Sequence, residues 1–202
     1  MKKIFHKTGV NGCVIYVWEV LSPWNELIKS PLFNEEEKKS CLLFKSDKRK
    51  TEYLAARLAL KTLFNKDTKL EHHRSGQPYI KEKTHLSISH SNTYLAVTLS
   101  EEPVGIDIEK PSDKLRHVVQ RVLSEKENIA FQKNSNLENA CRLWSVKEAV
   151  FKCIGGREIN YRDDIQITDL EEGLAHYLKK PFQIEFEKID DMILTIASPK
   201  SS

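Results

Sequence analysis

Two stretches of the chain carry side chains that could do chemistry together. In Val104-Gly105-Ile106-Asp107-Ile108-Glu109-Lys110 the apolar residues Val104, Ile106 and Ile108 alternate with Gly105, Asp107 and Glu109. A period of two is the signature of a strand, so Asp107 and Glu109 share one face while the apolar trio anchors the other. Two carboxylates side by side repel and desolvate each other, and a fold keeps them where a cation lies between them or a proton is shared. Hard divalent cations such as Mg2+ take oxygen ligands, usually one or two carboxylates with waters and substrate phosphates. A lone D-x-E is more commonly a solvent-facing acidic edge, and that reading stands beside the metal one.

The second stretch, Leu143 to Lys152 (LWSVKEAVFK), has helical spacing. Leu143, Val146, Val150 and Ile154 make an apolar stripe, with Trp144 and Phe151 beside it. Ser145, Glu148 and Lys152 fall at i, i+3 and i+7 on another face. Glu148 offers a third carboxylate and Lys152 a cation one turn away. By itself the pair is also an ordinary exposed Glu-Lys couple.

Three further groups precede these. Ser46 or Asp47 caps a helix running to Phe64, on which Arg49, Tyr53, Arg57 and Lys61 stack at i+4 intervals, flanked by Lys48 and Lys50. That is either a solvated basic face or an anion site, since guanidinium forks match phosphate oxygens. Gly76-Gln77-Pro78 marks a turn, and Ser89-His90-Ser91 ends the alternating run His85 to Ser89. A histidine after a strand is usually structural, but the flanking small hydroxyls leave donors free to face an anion. His72 and His73 are adjacent, yet no third ligand is spaced to join them in a metal site.

Taken in order over residues 49–152, these marks resemble the 4'-phosphopantetheinyl transferases, which carry G-[IV]-D-[IVL]-E followed by W-[SAT]-x-K-E-[AS]-x-x-K. The length resembles the two-domain, surfactin-synthetase-activating type. The resemblance implies transfer of the 4'-phosphopantetheine group from coenzyme A to a serine of an acyl or peptidyl carrier protein, with release of 3',5'-ADP and dependence on Mg2+. It implies Asp107, Glu109 and Glu148 as metal ligands and Glu148 and Lys152 as catalytic residues. Coenzyme A contacts are implied for Arg49, Arg57, Gln77, Pro78, Ser89, His90 and Lys152. Gln77 stands where the family usually has lysine, so a charge is missing there. Arg121 to Glu127 resembles the family's R-F-[FL]-[ST]-x-x-E, a region beside the carrier, with Val122 at the aromatic position. The nucleophile is the substrate's serine, so a Ser-His-Asp set is not expected.

The implied fold is α+β: two similar α/β subdomains forming a pseudo-dimer, residues 1–103 and 104–202, each with an antiparallel sheet packed on helices and the active site between them. The pattern of the chain is compatible with this. Strands are predicted over Gly12 to Trp18, His85 to Ser89 and Tyr94 to Ser100, with 86–109 as a three-stranded meander. Helices are predicted from a capping box at Asn34 to Phe44, over Leu115 to Val122, and from a capping box at Ser124. Alternating segments at 164–168, 174–178, 181–187 and 192–197 predict a second antiparallel sheet, with the tail from Pro199 frayed.

Composition excludes several classes. In 202 residues, 40% are hydrophobic and 30% charged, with seven Gly and seven Pro, which argues against disorder. A net charge of +3 does not by itself point to nucleic acid. A nucleic-acid domain built on the basic helix ranks last, because aromatic residues are sparse there. A non-catalytic coenzyme A or nucleotide-binding module is the main alternative, although a binder has no need of the whole set Asp107, Glu109, Glu148 and Lys152. Cys13, Cys41, Cys141 and Cys153 form no C-x-x-C and read as reduced, buried thiols of a cytoplasmic protein. No signal-peptide pattern and no apolar run long enough for a membrane span are visible, and a monomer is expected. Lys114, Arg116, Arg121 and Lys126 could steer an acidic carrier.

Overall fold

The computed structural model describes residues 1–65, 67–81, 84–156 and 158–200. The chain begins with β1 (Lys2–Thr8) and β2 (Val14–Glu19), continues through helices α1 (Trp24–Leu27), α2 (Glu35–Leu42) and α3 (Asp47–Leu63), and reaches a short ribbon, β3 (Glu71–His72) and β4 (Pro78–Tyr79). A hairpin of β5 (His85–Ser91) and β6 (Tyr94–Ser100) follows, then β7 (Gly105–Glu109). Helices α4 (Asp113–Val119), α5 (Glu125–Lys133) and α6 (Leu137–Cys153) lead into β8 (Ile165–Asp169), β9 (Leu174–Tyr177), β10 (Lys180–Ile189) and β11 (Met192–Pro199).

The fold is mixed α and β with two principal antiparallel sheets. One has the order β1-β2-β6-β5 and the other β7-β11-β10-β9-β8. Two core layers flank the first sheet. On one side Trp18, Leu86, Leu95 and Val97 pack against Leu54, Ala55 and Ala59 of α3. On the other, Ile15, Val17 and Ala96 meet Ile106, Ile108, Leu194 and Ile196, so the two sheets share an apolar interior. The opposite face of the second sheet is covered by α6, where Val146, Ala149 and Val150 pack on Ile165, Ile184 and Ala197. The capping boxes at Asn34 and Ser124 form as the spacing predicts.

Several expectations are corrected. The basic segment Lys2–Thr8, for which no element is predicted, is a half-exposed strand at a sheet edge. The strand expected from Gly12 begins at Val14, because Asn11 and Gly12 take positive φ in a turn. Residues 86–109 are not a three-stranded meander. β5 and β6 form a hairpin, while β7 pairs with β11 in the other sheet. Lys61 leaves the basic face of α3: it is buried and bonded to Glu37 at 3.2 Å. The tail is paired through Pro199, and Lys200 N donates to Pro181 O at 3.0 Å, while Ser201 and Ser202 lie outside the described residues.

Candidate active site

The centre of the site is the seam where β7 runs beside β5, each the edge strand of its own sheet. An edge strand leaves backbone donors unpaired. Here alternate serines of β5 satisfy them. Ile106 N donates to Ser87 Oγ at 3.0 Å and Ile108 N to Ser89 Oγ at 3.3 Å. Ser89 and the next alternate serine hold the acids: Ser89 Oγ donates to Asp107 Oδ1 and Ser91 Oγ to Glu109 Oε2, both at 2.8 Å. The hydroxyls flanking His90 are therefore occupied in holding strand and carboxylates, and not free to face an anion as the sequence alone suggested.

Helix α6 is seated against β7 by Gly105. A Cβ there would stand 1.9 Å from Ala149 O and 2.6 Å from Cys153 N. The absent side chain lets helix backbone rest on strand backbone and brings Glu148 and Lys152 over the acids. Lys152 Nζ donates to Asp107 Oδ1 at 2.8 Å, Ser89 Oγ at 2.9 Å and Ile106 O at 3.1 Å. Tyr161, a residue the sequence reading missed, donates its hydroxyl to Glu148 Oε1 at 3.1 Å. Its ring stands 5.2 Å from that of Phe151, and only this loop-to-helix contact could have revealed it.

Asp107, Glu109, Glu148, Lys152, Ser89 and His90 line one cavity of about 290 Å³, with Trp144 also in its wall. Burial, and then the nearby Asp107 charge, push the Glu109 and Glu148 carboxyls above the ordinary glutamate range. Burial, with the Glu148 charge next, pushes the Tyr161 hydroxyl up, so it remains a donor. Among the described residues, no three His, Cys, Asp or Glu side chains close into a set that would hold a metal ion unaided. In their place the Lys152 ammonium serves as the cation at Asp107.

Arg49, Arg57, Pro78 and His90 line a second cavity of about 260 Å³, together with Tyr53 and His72. Ile88 and His90 belong to the walls of both cavities. The Arg57 guanidinium lies 3.5 Å from the Tyr53 ring centre and donates to Leu70 O at 3.2 Å. Arg49 is more open, bonded to Glu52 at 3.2 Å. His90 is half-buried, and its Nε2, shielded from solvent, has no hydrogen-bond partner. Burial first, then the Lys152 and Arg49 charges, lower its pKa to about 4, so the imidazole is neutral at neutral pH. Gln77 lines neither cavity. It faces a third space of about 710 Å³, and a Cβ on Gly155 would stand 3.0 Å from its Oε1.

Lys147, between Ser145 and Glu148 in the helix motif, points away from the cavity. It is wholly buried and bonded to both oxygens of Glu127 at 2.9 Å, to Tyr161 O at 3.1 Å and to Ile165 O. Glu127 also accepts from Ser124 N at 2.7 Å and Ile167 N at 2.6 Å. The acid that ends the Arg121 to Glu127 stretch thus faces inward and ties α5, α6 and β8 together. Of the expected steering residues, Arg116 pairs with Asp113 at 2.8 Å on the surface.

Part of the chain is similar to known proteins. Residues 103–197 match the family model of the 4'-phosphopantetheinyl transferase superfamily. The chain is 35% identical over 83 residues to 4'-phosphopantetheinyl transferase gsp of Aneurinibacillus migulanus, which is 40% of this chain and 35% of that one. It is 32% identical over 82 residues to 4'-phosphopantetheinyl transferase Sfp of Bacillus subtilis (strain 168), 38% of this chain and 37% of the relative. The matched stretch therefore spans little more than a third of each relative's length. The segment 103–197, which contains Asp107, Glu109, Glu148 and Lys152, is thus similar to the 4'-phosphopantetheinyl transferase superfamily.

Proposed function

We propose that this protein is an enzyme that moves the 4'-phosphopantetheine group of coenzyme A onto a serine of an acyl or peptidyl carrier protein, releasing 3',5'-ADP. One observation carries the reading: a cavity lined by three carboxylates and Lys152 shares the Ile88 and His90 wall with a cavity lined by two arginines. That arrangement suits a ligand with a phosphate at one end and a pyrophosphate at the other. Arg49 and Arg57 would hold the 3'-phosphate with charge-assisted bonds. His90 Nε2, buried and unpartnered, would meet a phosphate oxygen between them.

The donor set also fits Mg2+, since Asp107, Glu109 and Glu148 are hard oxygen ligands crowded enough that burial and mutual repulsion raise two of them. Its shell would be completed by pyrophosphate oxygens and water. Bound there, it would neutralise charge on the diphosphate. The chain's own residues supply the rest. Glu148 is the base for the incoming serine hydroxyl: burial raises its pKa above the ordinary glutamate value, and Tyr161 fixes its orientation. As the serine oxygen bonds to the pantetheine-bearing phosphorus, the bond from that phosphorus to the bridging oxygen breaks, and Lys152 stabilises the departing 3',5'-ADP.

We further infer two related halves, 1–103 and 104–202. In support, every strand of the first sheet precedes Pro103 and every strand of the second follows Val104. A reducing, cytoplasmic setting is supported by four buried free thiols. No helix among the described residues is long and apolar enough to cross a membrane. The test is incubation with an unmodified carrier, coenzyme A and Mg2+, followed by mass spectrometry of the carrier. Gain of one phosphopantetheine mass supports the reading. Tight coenzyme A binding with no gain on any of a fatty-acid, polyketide and peptide carrier would leave a binding module instead.

A further inference from the structure

Asp107 Oδ1 is taken up by Ser89 and Lys152, whereas Oδ2 is buried and has no hydrogen-bond partner. Among the described residues five buried side-chain atoms share that condition, and two others are Thr195 Oγ1 and Ser145 Oγ. Register brings these three to one place. Thr195 on β11 stands directly opposite Asp107 on β7, and directly opposed residues of an antiparallel pair project from the same face with Cβ atoms about 4.5–5.5 Å apart. That face is the one under α6: Ile193 packs with Cys141, and Ala197 with Val146 and Ala149, with Thr195 between them. Along α6, Cys141 Sγ reaches Glu109 O at 3.6 Å, and Ala149 O lies against Gly105. Ser145, midway between them and beside the Cys141 thiol, is level with Asp107. Thr195 and Ser145 have no exposure at all. Unpaired buried polar atoms are costly and rare, and Asp107 Oδ2 and Thr195 Oγ1, with a Ser145 hydroxyl that meets only the weakly bonding Cys141 thiol, call for a common partner.

We propose that Thr195, assisted by Ser145, is a positioning residue for Asp107. The two hydroxyls hold Asp107 Oδ2 through one enclosed water, whose three polar partners are the usual number for a buried water. With Oδ2 held inward, Oδ1 is fixed towards Lys152 and the cavity. This rests on the reading of Asp107 as a working residue of the transferase site.

The test is Thr195→Val, which keeps the shape and removes the hydroxyl, with Thr195→Ser as the restoring variant and Asp107→Asn as the control. Mg2+ affinity in the presence of coenzyme A, measured by calorimetry, and kcat for carrier loading both fall about tenfold in Thr195→Val, the loss typical of outer-shell partners. Both recover to within about twofold in Thr195→Ser, as outer-shell polarity rather than shape is restored. Ser145→Ala shows a loss of the same kind and serves if Thr195→Val does not fold. A folded Thr195→Val protein with raised Tm and unchanged Mg2+ affinity and kcat overturns the proposal. If Asp107→Asn also loads carriers at the parent rate, the reading of the whole site falls, whereas a silent Thr195 beside an inactive Asp107→Asn defeats the positioning role alone.

Discussion

Lys152 Nζ and Asp107 Oδ1 stand 2.8 Å apart, with Ser89 Oγ within hydrogen-bond distance of both. Three elements from two sheets and a helix meet in that triangle. The side chain of Lys152 is about a quarter exposed and that of Asp107 almost fully buried, so the pair faces the cavity through its cationic end. Removing the lysine leaves a buried carboxylate without its cation. Lys152→Met should lower kcat for carrier loading about 100-fold, the scale of losing one electrostatic stabiliser of a transition state. Steady-state kinetics with coenzyme A and one carrier would check this, and a loss below threefold would remove Lys152 from the mechanism.

Glu148 should cost stability where it is charged. Burial raises its folded pKa above the unfolded value near 4.5, so the native state binds the proton more readily. Stability from this group therefore declines as pH rises from the unfolded to the folded pKa, and the whole cost is present above the latter. Glu148→Gln, studied without divalent ions, should raise Tm by a few degrees at pH 8, about the change that 1 kcal/mol produces in a chain this size. The gain should vanish near pH 4, while carrier loading is lost at every pH. Thermal scans across that range decide the matter.

On the proposed reading, the stack of Arg57 on Tyr53 and its bond to Leu70 O preset it for an anion. Arg57→Ala should raise KM for coenzyme A at least tenfold with kcat within about twofold, as expected from losing a bond to a charged group worth roughly 1.5–3 kcal/mol. Arg57→Lys should restore little, because an ammonium lacks the planar fork that stacks and donates at once. Equal effects on the KM for carrier would point elsewhere.

The Lys147 and Glu127 pair should matter for folding more than for chemistry. Lys147 is fully buried and Glu127 nearly so. Lys147→Met would strand a buried carboxylate, a loss of about 3–5 kcal/mol. Urea unfolding would show it as a lower midpoint, whereas a change under 1 kcal/mol would make the pair dispensable.

Charge on the carrier side is a separate matter. Arg116→Glu with Arg121→Glu should raise the KM for carrier more than that for coenzyme A, since long-range attraction acts on the larger acidic partner. Matched increases in both constants would refute steering.

The grouping of the candidate residues was legible in the sequence because it is written in short local patterns. Alternation around Asp107 and Glu109 placed them on one face, and helical spacing placed Glu148 and Lys152 together, since both periodicities follow from backbone geometry alone. The capping boxes and the four strands of the C-terminal meander were readable for the same reason. Pairing between distant strands was not. That β7 leaves the β5 and β6 hairpin for β11 depends on which apolar faces bury each other, and a three-strand meander satisfies the same local alternation. The serine seam, Tyr161 against Glu148, the inward turn of Glu127 and Thr195 opposite Asp107 all join residues far apart in the chain, with nothing in their local pattern to announce a partner. The sequence by itself determined which groups share a strand face or a helix face. Only the tertiary structure decided which of them meet, because burial and hydrogen-bond satisfaction are settled between elements and not within them.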